Sequence, residues 1–361
     1  MSGLGRALIL LVGRKTVRIV RFFAASVIGL ALVGCGSHGV VPTTGGGQPA
    51  LPGSSSRESG PSNGTTIQFV VPTAKSEPDG DTLGPDGNVW FTEHIGNKVG
   101  FITPTGSFTE FPIPTASSKP VGIATGPDHN LWFVENTGNK IGKVTPAGAF
   151  TEFPLPFAGS EPGDITAGPD GNLWFTEIFH NRIGRITTGG TITEFKIPTG
   201  RSHPDFITPG ADGAMWFTEN DGNKIGRITT DGTITEFTVP TAGSVPSGIV
   251  SAYNVLWFCE SQASKIGIIT LTGGIREFPT PTANAGPKDI VLGPPDDPVV
   301  QVWFTETNVN KIASINPNDG VITEYPMPSR SKKPFFLTVG SDDDIWVTEL
   351  GSNRIGRFTG I

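Results

Sequence analysis

Seven glutamates occupy one motif position along the chain: Glu93, Glu135, Glu177, Glu219, Glu260, Glu306 and Glu349. Each closes an apolar run such as Leu131-Trp132-Phe133-Val134-Glu135. A carboxylate can serve as acid, base or oxygen ligand for a hard cation. A residue kept in every repeat also fits a scaffold role, accepting bonds from the following turn or from the lysine five residues on, as Glu93 from Lys98. Chemistry needs an asymmetric set, so the better candidates are positions that vary between repeats. One such position follows a proline: Asp79, Val121, Gly163, Asp205, Ser247, Lys288 and Phe335. Histidines are few, and among His94, His129, His180 and His203 no two have metal-ligand spacing. His203 precedes Pro204-Asp205, so His203, Asp205 and Glu219 form the nearest grouping of a base with carboxylates. No nucleophile constellation, phosphate loop or cofactor motif is visible.

The elements that must position these residues follow from the tryptophans. All seven, Trp90, Trp132, Trp174, Trp216, Trp257, Trp303 and Trp346, fall at one position, spaced 42, 42, 42, 41, 46 and 43 residues apart. A period in the low forties with several short strands per unit predicts β-propeller blades. In the second unit the turns predict strand A over Val121–Thr125, B over Leu131–Glu135, C over Lys140–Thr145 and D over Phe150–Pro156. The last unit stops after a strand C, and Thr66–Pro72 matches a strand D. The N-terminal strand is therefore expected to complete the last blade and close a seven-bladed ring, which removes an exposed edge. The end of strand B and the start of strand A then share one face, here called the top. The Asn at the B–C turn (Asn97, Asn139, Asn181, Asn223, Asn310, Asn353) fits a left-handed position. The fifth unit departs from the pattern at Ser251–Asn254, and the sixth carries extra residues in Gly293–Gln301. Cys259, in an apolar strand B, reads as a small buried residue.

Composition supports an all-β fold. Gly (49) and Pro (32) are too abundant for helices, and 23 Phe with seven Trp exclude a disordered chain. The formal charge of −7 becomes −12 once the five bases of residues 1–34 are set aside, so nucleic acid is an unsuitable partner. Residues 22–34 form a 13-residue apolar run after a basic stretch, the pattern of a signal peptide. Leu32-Val33-Gly34-Cys35 resembles a lipobox, which implies acylation of Cys35 and a lipid anchor as the only membrane contact. Residues 36–64 read as a flexible Gly/Ser/Pro tether of about 30 Å. The expected organisation is a signal peptide at 1–34, lipidated Cys35 and tether at 35–64, and a propeller at 65–361. The expected product is extracytoplasmic, membrane-anchored and monomeric.

The repeated segments Trp90-Phe91-Thr92-Glu93, Lys224–Thr229 (KIGRIT) and Ile192–Pro198 (ITEFKIP) resemble the streptogramin lyase family over residues 65–361. The resemblance implies a seven-bladed propeller that opens the macrocyclic ester of type B streptogramins by Mg²⁺-dependent elimination. It also implies top-face functional positions. These are a His after the inner-strand Pro of the sixth unit, a Glu-Pro-His run and the strand-B Glu of the seventh, and a Tyr after the Pro of the first. In this chain those positions carry Lys288, Lys333-Pro334-Phe335, Glu349 and Asp79. Only Glu349 keeps its type. Phe335 moves no proton, Lys333 repels a metal, and Lys288 acts as a base only if its pKa falls by several units, which an acidic mouth opposes. The expectation is a propeller that binds a small-molecule or cationic ligand at an acidic top face through Asp79, Glu93, Lys288, Glu306 and Phe335, with the family's lyase site lost. Two readings stand beside it. One is a divalent-metal-dependent C–O lyase acting on a cyclic ester, using Glu349 or the set His203, Asp205 and Glu219. The other is a surface protein-interaction module. Mg²⁺ is the only cofactor expected, and only through the resemblance.

Overall fold

The computed structural model describes residues 64–295, 299–328 and 333–360. The expectations for the signal peptide, Cys35 and the tether lie outside the described residues. Twenty-eight strands, β1–β28 in chain order, form seven four-stranded antiparallel sheets, and no helix occurs among the described residues. The second blade shows the local logic. Its strands are β6 (Pro120–Thr125), β7 (Leu131–Glu135), β8 (Lys140–Val144) and β9 (Phe150–Pro154). The predicted strands are thus matched to within one or two residues. Between β7 and β8, Asn139 takes the left-handed conformation (φ 55°) that the tight turn requires. Gly142 in β8 leaves room for the Phe133 ring, whose Cζ would lie 2.1 Å from an added Cβ.

Each inner strand packs on the inner strands of both neighbouring blades, and β26 (Pro334–Val339) packs on β2 (Pro78–Leu83), so the ring is closed. The closing blade takes its fourth strand from the N-terminal side. β1 (Thr65–Val70) pairs with β28 (Arg354–Thr359), from Thr65 opposite Thr359 to Val70 opposite Arg354. The turn asparagines latch neighbouring blades together. Asn97 Oδ1 accepts from the Ser118 N–H and hydroxyl, and its Nδ2 donates to the Ile113 and Thr115 carbonyls. Asn353 makes the same four bonds, to Ser76, Val71 and Thr73. The ring closure is therefore bonded like the boundary between the first two blades.

The core lies between blades. Trp90 joins Val99 and Ile113 of its own blade side to Ile123, Leu131 and Phe133 of the next. Each tryptophan also stacks on the strand-D aromatic of its own blade, as Trp132 on Phe153 at 5.6 Å. The turn between strands A and B holds the indole: Trp90, Trp132, Trp174, Trp216 and Trp346 each donate Nε1–H to the turn aspartate four residues earlier at 2.9–3.1 Å. Cys259 is buried and unoxidised, and burial pushes its thiol well up, as suits an inert core residue.

Candidate functional site

The top face is confirmed by backbone bonds between the B–C turns and the D–A loops, as from His94 N–H to the Glu77 carbonyl (3.0 Å). Every inner strand carries a β-bulge just after its first proline. In β2, Pro78 opposes Glu93 and Asp81 opposes Phe91, so Asp79 and Gly80 share the space opposite Thr92. A bulge re-aims side chains. It lets both the first and the second residue after the proline contribute to the mouth, where the sequence pattern pointed only to the first.

The mouth holds a cavity of about 200 Å³. Its wall includes Asp79, Asp205, Phe206, Lys288, Phe335 and Phe336, with His94 and Ile178 from the B–C turns. Lys288 Nζ sits 2.6 Å from Asp205 Oδ2, 4.7 Å from the centre of the Phe206 ring and 5.6 Å from that of Phe335. Asn220 also donates to Asp205 Oδ2 at 3.1 Å. The Lys288 ammonium is therefore held between aromatic faces and a carboxylate, the setting of a cation–π and ion pair. A second hollow of about 150 Å³ lies on the other side of Lys288 and Phe335, lined by Ser261, Gln262, Thr307 and Asn308. The two residues thus stand as a partition across the mouth. A larger hollow of about 470 Å³ near Thr307, Met327 and Lys333 has no carboxylate or imidazole among the described residues of its wall.

Buried carboxyl groups line the ring beneath the mouth. Asp79 is pushed up to about 7 by burial, with Lys288 opposing and Asp205 and Glu77 adding. Burial likewise raises Asp164 and Asp289 to about 7, although each accepts a backbone N–H, from Ile207 and Leu337. Asp81 is raised well above its usual range by burial, then by Asp289 and Asp79. It stands where the other six blades place Ile123, Ile165, Ile207, Ile249, Ile290 and Leu337 in the core.

The repeated glutamates have a different fate. All seven are fully buried within the blades, so Glu93 and Glu306 do not face the mouth as expected. Each of the first six meets a strand-D glutamate: Glu110, Glu152, Glu194, Glu236, Glu277 or Glu324. Burial raises the strand-B carboxyls to about 7 or 8, and a hydrogen bond to the strand-D carboxyl adds to the rise. Two carboxyls can share such a bond only through a proton. The lysine five residues on serves the other partner: Lys98 Nζ lies 2.9 Å from Glu110, which also accepts two bonds from Thr73. Burial pushes Glu110 up, but Lys98 and Thr73 outweigh it and hold it below its ordinary value. Since Thr73 precedes the blade that Glu110 belongs to, this network ties loop to blade. The seventh blade differs. Gln68 replaces the strand-D glutamate, its amide donating to Glu349 Oε1 at 2.5 Å, and Ser352 donates to Oε2 at 2.6 Å.

The set His203, Asp205 and Glu219 is not brought together. His203 Nδ1 pairs with Asp221 at 2.6 Å on the rim, Asp205 binds Lys288, and Glu219 lies buried with Glu236. The residues at the positions implied for Mg²⁺ do not fit that ion. Lys333 and Phe335 supply no ligand atom, and Gln68 and Ser352 bond both Glu349 oxygens. Among the described residues no three His, Cys, Asp or Glu side chains are placed to hold a metal.

Fold and site together define a seven-bladed β-propeller with a partitioned, aromatic and acid-lined cavity at one mouth. Residues 64–357 match the model of the virginiamycin B lyase family, and the chain belongs to that family. A streptogramin B lyase structure is 41% identical, covers 82% of this chain and 98% of its own, and superposes with a TM-score of 0.78. Virginiamycin B lyase from Staphylococcus aureus is 42% identical over 82% of this chain and 100% of its own, with a TM-score of 0.77. A catalytically inactive variant of the Staphylococcus aureus enzyme, solved with quinupristin, is 41% identical over the same shares, also at 0.77. No curated protein matches.

Proposed function

We propose that the mouth of this propeller binds a small, largely apolar ligand and that the family's Mg²⁺-dependent elimination is not among its activities. The observation that carries this reading is the state of Lys288. Where the resemblance implies a proton-accepting histidine, this chain has an ammonium held by Asp205 at 2.6 Å between two phenylalanine rings. A general base must be unprotonated and within reach of the proton it takes. A lysine whose Nζ is engaged by Asp205 and enclosed by two phenylalanine rings is not placed to take a proton from a ligand, and Phe335 leaves no base beside it. What remains is a cavity with three phenylalanines, whose polar wall residues are for the most part bonded to the protein itself, the character of a ligand pocket. The mouth is less acidic than its composition suggested, because Lys288 neutralises Asp205 and Asp79 holds its proton up to about pH 7. The Cys35 lipobox and the tether support display of this mouth outside the cytoplasm on a lipid anchor.

Quinupristin, the compound solved with the inactive relative, is the first test. Mixed with the full-length protein and Mg²⁺, it is expected to remain a closed ring by mass spectrometry. Ring opening that scales with protein and needs Mg²⁺ would overturn the reading.

A further inference from the structure

The mouth cavity contains two polar atoms that the protein leaves unpaired. Asp79 Oδ1 and His94 Nδ1 are buried without a hydrogen-bond partner. Both residues line the cavity, and Nδ1 lies 3.7 Å from Asp79 Oδ2, too far for a good hydrogen bond. His94 bonds the Pro120 carbonyl. Since Nδ1 has no partner, that bond belongs to Nε2–H and Nδ1 keeps its lone pair. Asp79 is 6% exposed, and below about pH 7 its carboxyl carries a proton. An O–H donor and a nitrogen acceptor therefore stand side by side in an otherwise apolar or internally paired wall.

We infer that this cavity recognises an uncharged amide carried on an aromatic or apolar body, Asp79 donating to the amide carbonyl and His94 Nδ1 accepting the amide N–H. The inference rests on the proposed reading of the mouth as a ligand site and names the chemistry that site selects. A buried donor and acceptor left unpaired are costly, and an amide edge satisfies both. A cationic ligand is disfavoured because Lys288 already occupies the aromatic and carboxylate positions that would hold it. A volume of about 200 Å³ suits one ring bearing one amide.

The charged groups facing Asp79 are Lys288 and Asp205, closed on each other, with Glu77 and Asp81 from its own segment. His94 is pushed down by burial, then by Lys119, which favours its neutral form. Asp164 also lines the cavity and also sits at about 7, so a variant must separate it from Asp79.

The test uses benzamide and its cationic counterpart benzamidinium, titrated into the full-length protein by NMR at pH 6.0 and 8.5. Benzamide is expected to bind at least about fivefold more weakly at pH 8.5, the size of one hydrogen bond lost. Asp79→Asn keeps a donor at both pH values, so its affinity for benzamide is expected not to change with pH. Asp79→Val is expected to lose at least about fivefold at pH 6.0. Benzamide binding that ignores pH and both variants overturns the inference while leaving the mouth reading intact. A pH dependence that survives Asp79→Asn places the titrating group elsewhere, at Asp164 in the wall or at Asp289 or Asp81 beneath it, and overturns the inference as well. Benzamidinium binding more tightly than benzamide makes the site a cation site. Failure of both probes to bind removes the mouth reading and this inference together.

Discussion

Glu93→Gln isolates one of the six shared protons. In the parent protein burial, the Glu110 charge and the bond to Glu110 raise the Glu93 carboxyl to about 8. In the unfolded chain an ordinary glutamate ionises near 4.3. The folded state therefore holds a proton that the unfolded state releases. Stability from this group is complete below the unfolded value and declines as pH rises toward 8, by about 1.4 kcal/mol per pH unit. Gln keeps the shape and donates an N–H to Glu110 at every pH, with no proton to lose. Between pH 5 and 7 the stability difference should therefore shift in favour of the variant by about 2–3 kcal/mol. Equilibrium urea denaturation of both proteins at pH 5, 6 and 7 reads this directly. Parallel pH profiles would show that Glu93 is ionised in the fold and would refute the proton-sharing argument. Glu110 and four of its counterparts are held below their ordinary values, so that half of each pair loses stability as pH falls through those lowered values. The parent is thus expected to be most stable near pH 5 rather than at neutrality.

Three further outcomes are expected. Deleting residues 65–72 removes β1 and the Asn353 partner Val71, and should lower the melting temperature by more than about 5 °C; an unchanged melting curve would contradict the closure. Asp81→Ile restores the residue type of the other blades and should raise stability at pH 7 by about 2–3 kcal/mol, read by denaturant titration, because it buries an aliphatic side chain and removes a buried carboxyl that has no hydrogen-bond partner; destabilisation would mean that Asp81 has a partner it needs. Cys35→Ser should release the protein from membranes or block its processing, and unaltered membrane fractionation would mean a different anchor.

The ring was legible because tryptophan spacing counts blades and the missing last strand has its match at Thr66–Pro72. The scaffold half of the site was partly legible. Seven identical glutamates signalled structure, but their true partners, Glu110 and its counterparts, required the strand register across a blade. Lys98 lies five residues from Glu93 along the chain yet reaches past it to Glu110. The mouth was legible in Asp79, Asp205, Lys288 and Phe335. Phe206, Phe336 and Asp164 were missed because a periodic reading of a strand gives alternating faces, and the bulge after each proline breaks that alternation. His94 and Ile178 enter from turns whose first residue varies freely between blades, and only folding shows that this residue points toward the centre.

We propose that the residues at 288, 333 and 335 separate this propeller from the elimination chemistry that the resemblance implies for its family. Mg²⁺-dependent ring opening of quinupristin, measured for the parent protein beside the triple variant Lys288→His, Lys333→Glu, Phe335→His, tests it most directly. The account predicts background rates for the parent and measurable turnover for the triple variant, since restoring a general base alone is typically worth 10²–10⁴-fold. Robust turnover by the parent would contradict it.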